Sequence, residues 1–354
     1  MFEHTSWGSV ASLVYGRSLK DRPLTDGGPS QVYGTNGPIG YTNDALSDGP
    51  GVIVGRKGEY RGIHYSPGPF WVIDTAYYLQ PSEGVDMLWA YYALKNSDVN
   101  GLRSGSAIPS TTKADFYAMG VLVPEYKKQV EMATVLRALD DKIAANAELA
   151  RTITDHLQAC VDRTASSARA LDEVAAFRNR ERRPLSSRER DLFPGKVPYF
   201  GAAGQIGTVG GSLFNDPLVL IGEDGSVVKS DKTSYSQYVW GPSWVNNHAH
   251  VLTGSGVSTE LLYFLLRRAP VDTLTTGAAQ PKLSMGNLRR LHVQAPAIDA
   301  LPALESTVDL EMALLRSITE ESRKLVDIRD TLLPHLMSGR LKVRDAEKTV
   351  SDAV

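Results

Sequence analysis

Two stretches of the chain carry apolar residues at a period of 3.5. From 129 to 160, one seam runs Leu136, Ile143, Ala150, Leu157 and the other Met132, Leu139, Asn146, Ile153, Cys160. From 301 to 336, the seams are Leu301, Val308, Leu315, Ser322, Arg329, Leu336 and Leu304, Glu311, Ile318, Leu325, Leu332. A seam held this long predicts a long helix that packs on another helix. Each stretch follows a proline that ends a strand-like run, Pro124 in "VLVPEY" and Pro296 in "VQAPAI". Asn146 stands at a seam position near the middle of the first helix. A polar residue there either fixes register at some cost in stability or turns to solvent, and the pattern alone allows both.

The rest of the chain reads as short strands and two short helices. "GVIVGRKG" (51–58) and "LVLIGEDG" (218–225) are β-branched runs closed by glycine turns, and "FWVIDTAYYL" (70–79) is aromatic and apolar. "DMLWAYYALK" (86–95) and "TELLYFLLRR" (259–268) are apolar on most faces and predict buried helices. These segments come in pairs. "YGTNGPIG" (33–40) returns as "FGAAGQIG" (200–207), and Pro50, Gly55 and Gly58 match Pro217, Gly222 and Gly225, all 167 residues apart. "GPFW" (68–71) matches "GPSW" (241–244), "SGSAIPS" (104–110) matches "TGAAQPK" (276–282), "RPL" (22–24) recurs at 183–185, and "SVAS" (9–12) faces "EVAA" (173–176). Landmarks in one order with small drifts are what duplication and loop insertion produce. The unit is far longer than the roughly 20–50 residues of a solenoid repeat and is about the length of a domain.

A topology follows. Two copies of one α/β unit, each followed by a long helix, relate by a pseudo-twofold axis if the helices pack together, and the helices then run antiparallel. The rod so formed is at most about 50–60 Å long at 1.5 Å per residue. That separates two similar surfaces by somewhat more than one turn of B-DNA, about 34 Å.

With 354 residues there is length for two domains, and 42% hydrophobic with 22% charged residues describes an ordinary globular chain. The single cysteine, Cys160, excludes a disulfide framework and a cysteine-rich zinc site. The N-terminal segment lacks the pattern of a signal peptide and no apolar run is long enough to span a bilayer, so the expected location is cytoplasmic. A net charge of −2 argues against a protein that coats nucleic acid non-specifically, and leaves room for local basic patches.

Motifs for catalysis are missing. No phosphate-binding P-loop, zinc-protease helix or nucleophile elbow occurs, and "YGTNGPIG" lies outside the strand–helix context that a dinucleotide fingerprint requires. Its glycines fit a tight turn or a close backbone approach. His248 and His250 in "NNHAHV" would share one face of a strand, but no third metal ligand accompanies them. The repeat sets Asp74 near Asn247, which marks Asp74 as structural.

Recognition chemistry is better represented. Arg56, Lys57, Tyr60 and Arg61 share one turn-bounded stretch, and Arg103, Ser104, Ser106 and Ser110 lie on a polar loop whose twin carries Gln280 and Lys282. Arg178, Arg180 and Arg182 belong to "FRNRERRPLSSRER" (177–190), the most basic stretch of the chain. Arginine reads guanine edges bidentately, and both cations hold phosphates. The two copies differ most at these loops, "GRKG" against "GEDG". A shared frame with different loops suits two surfaces that read different sequences.

The series "VYGTNGPIGY", "GPGVIVGRKG", "GPFWVIDTAYYL", "LRSGSAIPSTTKADFYAMGVLVP", a helix with "ALDDKIAAN", and the closing "LLPHLMSGRLKV" (332–343) resembles the specificity subunit of type I restriction–modification systems, from about Trp7 to Val343. The resemblance implies a non-catalytic subunit that recognises a bipartite site on double-stranded DNA. Two α/β target recognition domains (1–124 and 169–297) would be joined by antiparallel coiled-coil spacer helices (125–168 and 298–343), with a tail at 344–354. It implies two methyltransferase subunits and a restriction translocase as partners, with S-adenosylmethionine, ATP and Mg on those partners and no cofactor or metal on this chain. Asn36 in the Gly-rich phrase joins the candidate DNA contacts, and the second copy lacks that asparagine. The helix pairing would rest on Leu136, Leu139, Ile143, Asn146, Ile153, Leu157, Leu315, Ile318, Leu325 and Leu332. Other readings are a specificity subunit of a bifunctional restriction–methylation or other phage-defence system, a nucleotide-using enzyme and a protein adaptor.

Overall fold

The computed structural model describes residues 2–20, 24–102, 109–225, 227–277 and 281–352. The chain divides into two compact units, Met1–Asn146 with Glu321–Val354, and Ala147–Glu320. The division falls within both long helices, so each unit holds part of each.

In the first unit the order is β1 (Phe2–Ser6), α1 (Trp7–Val10), β2 (Ala11–Tyr15), β3 (Ser30–Gly34), β4 (Gly37–Thr42), β5 (Gly51–Gly55), β6 (Ile63–Ser66), β7 (Phe70–Val72) and β8 (Ala76–Pro81). Then come α2 (Met87–Lys95), α3 (Lys113–Ala118), β9 (Gly120–Pro124) and the long α4 (Tyr126–Thr164). The strands make a β1-β9 ribbon, a β2-β8-β5-β6 sheet and a β4-β3-β7 sheet. All pairings are antiparallel except β3 with β7.

The second unit repeats this plan. It runs β10 (Ala165–Ala170), α5 (Leu171–Val174), β11 (Ala175–Phe177), a 3-10 turn (Asn179–Glu181), α6 (Ser187–Asp191), β12 (Val197–Phe200), β13 (Gln205–Val209), β14 (Leu218–Gly222) and β15 (Ser236–Val239). It goes on through β16 (Trp244–Val245), β17 (Ala249–Gly254), α7 (Thr259–Arg267), α8 (Met285–Arg289) and β18 (His292–Pro296) to the second long helix, α9 (Leu301–Met337). Its sheets are β10-β18, β11-β17-β14-β15 and β13-β12-β16, again with one parallel pairing, β12 with β16. Strand for strand the topology matches that of the first unit, as duplication requires.

The local causes repeat as well. Asp86 caps α2 through the Trp89 amide and Ser258 caps α7 through the Leu261 amide. Thr112 and Ser284 do the same for α3 and α8. Each cap satisfies a helix N–H that would otherwise lack a partner. The runs read as β-branched strands become β5 and β14, which lie inside their four-stranded sheets and are buried along their whole length. The stretch "FWVIDTAYYL", read as a single run, is split: Phe70–Val72 joins β3, the chain turns at Asp74 and Thr75, and Ala76–Pro81 joins β2 and β5. The Gly-rich phrases are hairpin turns. Gly34 pairs with Gly37 across a two-residue turn, and Gly37 takes φ +122°, a conformation that costs glycine little.

In the first unit α4 and α9 pack antiparallel: Arg329 Nη1 donates to Asp140 Oδ1 at 2.8 Å, and Asn146 Nδ2 donates to Glu321 Oε2 at 2.7 Å. Leu136, Leu139, Leu325 and Leu332 are buried, with Ile143 packed against them, in a core that also holds Trp7, Trp89 and Phe116. In the second unit Ile153, Leu157 and Ile318 are buried with Leu315 beside them, and His156 Nδ1 lies 2.9 Å from Glu311 Oε2. Asn146 is only 5% exposed. Its amide meets a carboxylate inside the seam, so the solvent-facing alternative does not hold. The last residues, left as a tail by the sequence, form α10 (Val343–Ser351), with Ala346 fully buried on the first core. The turn at Gly339 after α9 lies so close to the Phe2 ring that a Cβ there would stand 2.5 Å from it. Among the described residues no helix is long and apolar enough to cross a membrane.

Substitutions along the two helices test this seam. Leu157→Ala and Leu325→Ala each empty a fully buried position, and each is expected to cost about 2–5 kcal/mol, read as a lower urea midpoint. Asn146→Ala removes one of two α4 groups that meet Glu321, leaving Lys142 Nζ at 3.4 Å, and is expected to cost about 1 kcal/mol, with the Asn146→Ala/Glu321→Ala pair costing less than the sum of its singles.

Candidate nucleic-acid interface

In the first unit, three of the segments singled out in the sequence meet. The turn after β5 begins at Gly55, where a Cβ would stand 2.5 Å from the Thr35 carbonyl oxygen, so only glycine allows the turn to lie against the β3–β4 hairpin. The Gly62 amide donates to that same carbonyl at 2.9 Å. Lys57 then bridges Ser110 in antiparallel fashion, flanked by bonds from Gly58 N to Pro109 O (3.0 Å) and from Thr111 N to Arg56 O (2.9 Å). The result is one surface on which Asn36, Lys57 and Tyr60 are exposed, Tyr60 to 61%, with Ser110 half-buried between them. Arg103, Ser104 and Ser106 lie outside the described residues.

Arg61 departs from its expected role. It is 1% exposed, and its guanidinium donates to the carbonyls of Gly58, Val99, Asn100 and Leu102 at 2.8–3.2 Å. A cation that satisfies four carbonyls in the interior shapes the loop and is not presented to a ligand. Arg56, five residues earlier, is half-buried and lies over two rings, 5.3 Å from the Tyr15 centroid and 5.8 Å from Tyr77. Burial pushes the Tyr77 phenol up to about 12, so its hydroxyl is neutral at physiological pH. Lys113 Nζ sits 4.6 Å over the Tyr15 ring. Tyr15 and Lys113 were missed in the sequence. Tyr15 ends a strand with no distinctive neighbour, whereas Lys113, three residues beyond Ser110, was within reach of the loop argument.

The second unit builds the same bridge from different side chains. Asp224 pairs with Lys282, Gly225 N donates to Pro281 O at 3.2 Å, and Leu283 N donates to Glu223 O at 2.8 Å. Glu223 therefore stands where the first unit has Arg56, and Asp224 where it has Lys57. Glu223 accepts from Arg182 Nη1 at 2.7 Å and lies 3.9 Å from Lys282 Nζ. His250, the counterpart of Tyr77, is fully buried. Its Nε2 lies 2.7 Å from the Leu283 carbonyl and its Nδ1 2.9 Å from the Asn179 amide. Nε2 therefore carries the proton, and burial holds the imidazole below its usual range. His248, exposed and just ahead of β17, hydrogen-bonds Asp224. The two histidines thus serve separate protein partners. Among the described residues no cluster could hold a metal ion.

Of the basic stretch, Arg180 is exposed, while the other two candidates are engaged within the unit. Arg178 pairs with Glu181 at 2.6 Å and Asp216 at 2.5 Å, and lies 5.0 Å over the Phe214 ring. Arg182 adds bonds to the Asn247 and Ala249 carbonyls. Both depart from the expected role because their guanidinium groups are taken up within the unit, by Glu181 and the Asn179 carbonyl nearby and by Asp216, Glu223 and the Asn247 and Ala249 carbonyls further along the chain. Lys282 is exposed, and Gln280 lies outside the described residues.

Comparison with known proteins gives this surface a family. The type I restriction modification DNA specificity domain matches the chain twice, at residues 2–155 and 166–314. A putative type I restriction enzyme specificity subunit of Haemophilus influenzae is 32% identical over 146 residues, 41% of this chain and 37% of that protein. The EcoprrI specificity subunit of Escherichia coli is 26% identical over 120 residues, 34% of this chain and 30% of that protein. Each alignment thus spans well under half of the relative. A crystal structure of a type I restriction–modification S subunit from M. genitalium shares the fold, with a TM-score of 0.64 at 19% identity, covering 95% of this chain and 96% of that one. With both copies matched and the topology shared, the chain belongs to the family of type I restriction–modification DNA specificity domains.

Proposed function

We propose that this chain is the non-catalytic DNA-recognition subunit of a type I restriction–modification complex and that it reads a bipartite site, one half with each unit. The bridged loops support this reading best: Lys57–Ser110 in one unit and Asp224–Lys282 in the other hold the same backbone geometry and carry different side chains. A constant frame with interchangeable edge chemistry is what two readers of unlike sequences need. The contacts would come from Asn36, Arg56, Lys57, Tyr60 and Ser110 in the first unit, and from Arg180, Asp224 and Lys282 in the second. Arg61, Arg178 and Arg182 would hold the loops in place behind them.

On this reading the partners are two methyltransferase subunits and a restriction translocase in the cytoplasm. Those partners carry S-adenosylmethionine, ATP and Mg. The small net charge, −2, fits a subunit whose partners supply much of the phosphate binding.

The decisive experiment maps modified adenines in cells carrying the chain with its neighbouring methyltransferase, against cells lacking the chain. The expected result is a motif of two short halves with a fixed gap, present only with the chain, and exchange of residues 170–296 should alter one half alone. Loss of both halves on exchange, or no chain-dependent motif, overturns the reading. The isolated chain is expected to bind DNA weakly at physiological salt, as fluorescence anisotropy would measure. Tight sequence-specific binding without partners would remove the need for them in recognition.

A further inference from the structure

In the first unit, a cavity of about 220 Å3 opens beside the bridged loops, lined by Tyr15, Arg56, Lys57, Thr111, Thr112 and Lys113 among others. Three cations from two separate segments face it. Arg56 and Lys113 both lie over the Tyr15 ring, at 5.3 and 4.6 Å from its centroid. Among the described residues no carboxylate pairs with Arg56, Lys57 or Lys113. Asp115, the acid one turn away, is taken up by the Thr112 hydroxyl at 2.6 Å. Thr111 is 1% exposed and its Oγ1 has no hydrogen-bond partner, and the Arg56 Nε is likewise buried without one. Both atoms are closed off from solvent, so they mark unmet polarity behind the cavity wall, and the groups that face the opening are the cations themselves.

The second unit supplies the internal control. The same bridge forms there with Glu223 in place of Arg56, His250 in place of Tyr77 and Leu283 in place of Thr111, and Glu223 is neutralised from within by Arg182. The frame therefore does not need the cations. Their convergence in the first unit leaves three cations without a carboxylate partner around one cavity, a setting suited to an anion rich in acceptor oxygens.

We propose that this cavity is a phosphate site that takes one backbone phosphate of the DNA bound by the first unit, and that the second unit holds no equivalent. The proposal rests on the recognition function argued above. It makes the two units unlike in kind: the first is anchored by charge at its bridged loops, while the second presents carboxylates there.

The test uses the full chain assembled with its methyltransferase partner and a duplex carrying the mapped motif. Single phosphates around the first half-site are replaced in turn by uncharged methylphosphonates. One position is expected to weaken binding by the unaltered complex and to have no further effect in Lys113→Gln, whose slope of log K against log salt should shrink by about 0.9. The phosphate site is overturned if every methylphosphonate effect survives Lys113→Gln and the slope does not move while the motif is still selected. If the complex selects no motif at all, the recognition reading itself fails. Calorimetry with inorganic phosphate distinguishes the source of the anion. Stoichiometric binding lost in Lys113→Gln, with the DNA slope and methylphosphonate pattern intact, assigns the cavity to free phosphate and overturns the DNA assignment.

Discussion

The arrangement of the recognition surface depends on one backbone pairing made twice. A short antiparallel bridge ties the turn after the central strand to the loop before a capped helix, at Lys57–Ser110 and again at Asp224–Lys282. Main-chain hydrogen bonds place no demand on side chains beyond the glycines and prolines that shape the turns. Side chains at the bridge are thereby released from structural duty, and opposite charges occupy corresponding positions without altering the path of the chain.

Behind the bridges, buried polar groups do the holding, and each unit solves the problem in its own way. The first spends Arg61 on the carbonyls of 99–102. The second locks Glu223, Arg182 and His250 into a network that reaches the Leu283 carbonyl. Such networks raise the cost of any local rearrangement, because an unpaired buried group is worth more than the bond it lost.

The duplication was legible because turns demand particular residues at particular places. Gly55 and Gly222, or Pro109 and Pro281, survive as landmarks when the strands between them drift. The helix seam was legible for a similar reason, since a 3.5-residue period leaves its mark over many turns. The fate of single arginines was not. Arg56 and Arg61 sit in one short stretch of sequence, yet one lines a cavity and the other is buried, because the partners that decide the matter, Tyr15 and Tyr77 for the one and the Val99, Asn100 and Leu102 carbonyls for the other, lie far away along the chain. The cavity itself draws on β2, the β5 turn and the start of α3, and no local pattern announces such a meeting. The split of "FWVIDTAYYL" between two sheets is likewise set by pairing partners and not by its own hydrophobicity.

The contact between Gly339 and Phe2 bears on how the chain is ordered. In the second unit a long helix, α4, runs directly into the first strand of its ribbon, from Thr164 to Ala165. In the first unit the end of the other long helix comes to lie against Phe2, the beginning of the equivalent ribbon. One junction is a peptide bond and the other is a packing contact, but they occupy the same place in the pattern. The first unit thus secures the start of its ribbon by side-chain packing, where the second secures it by the covalent chain.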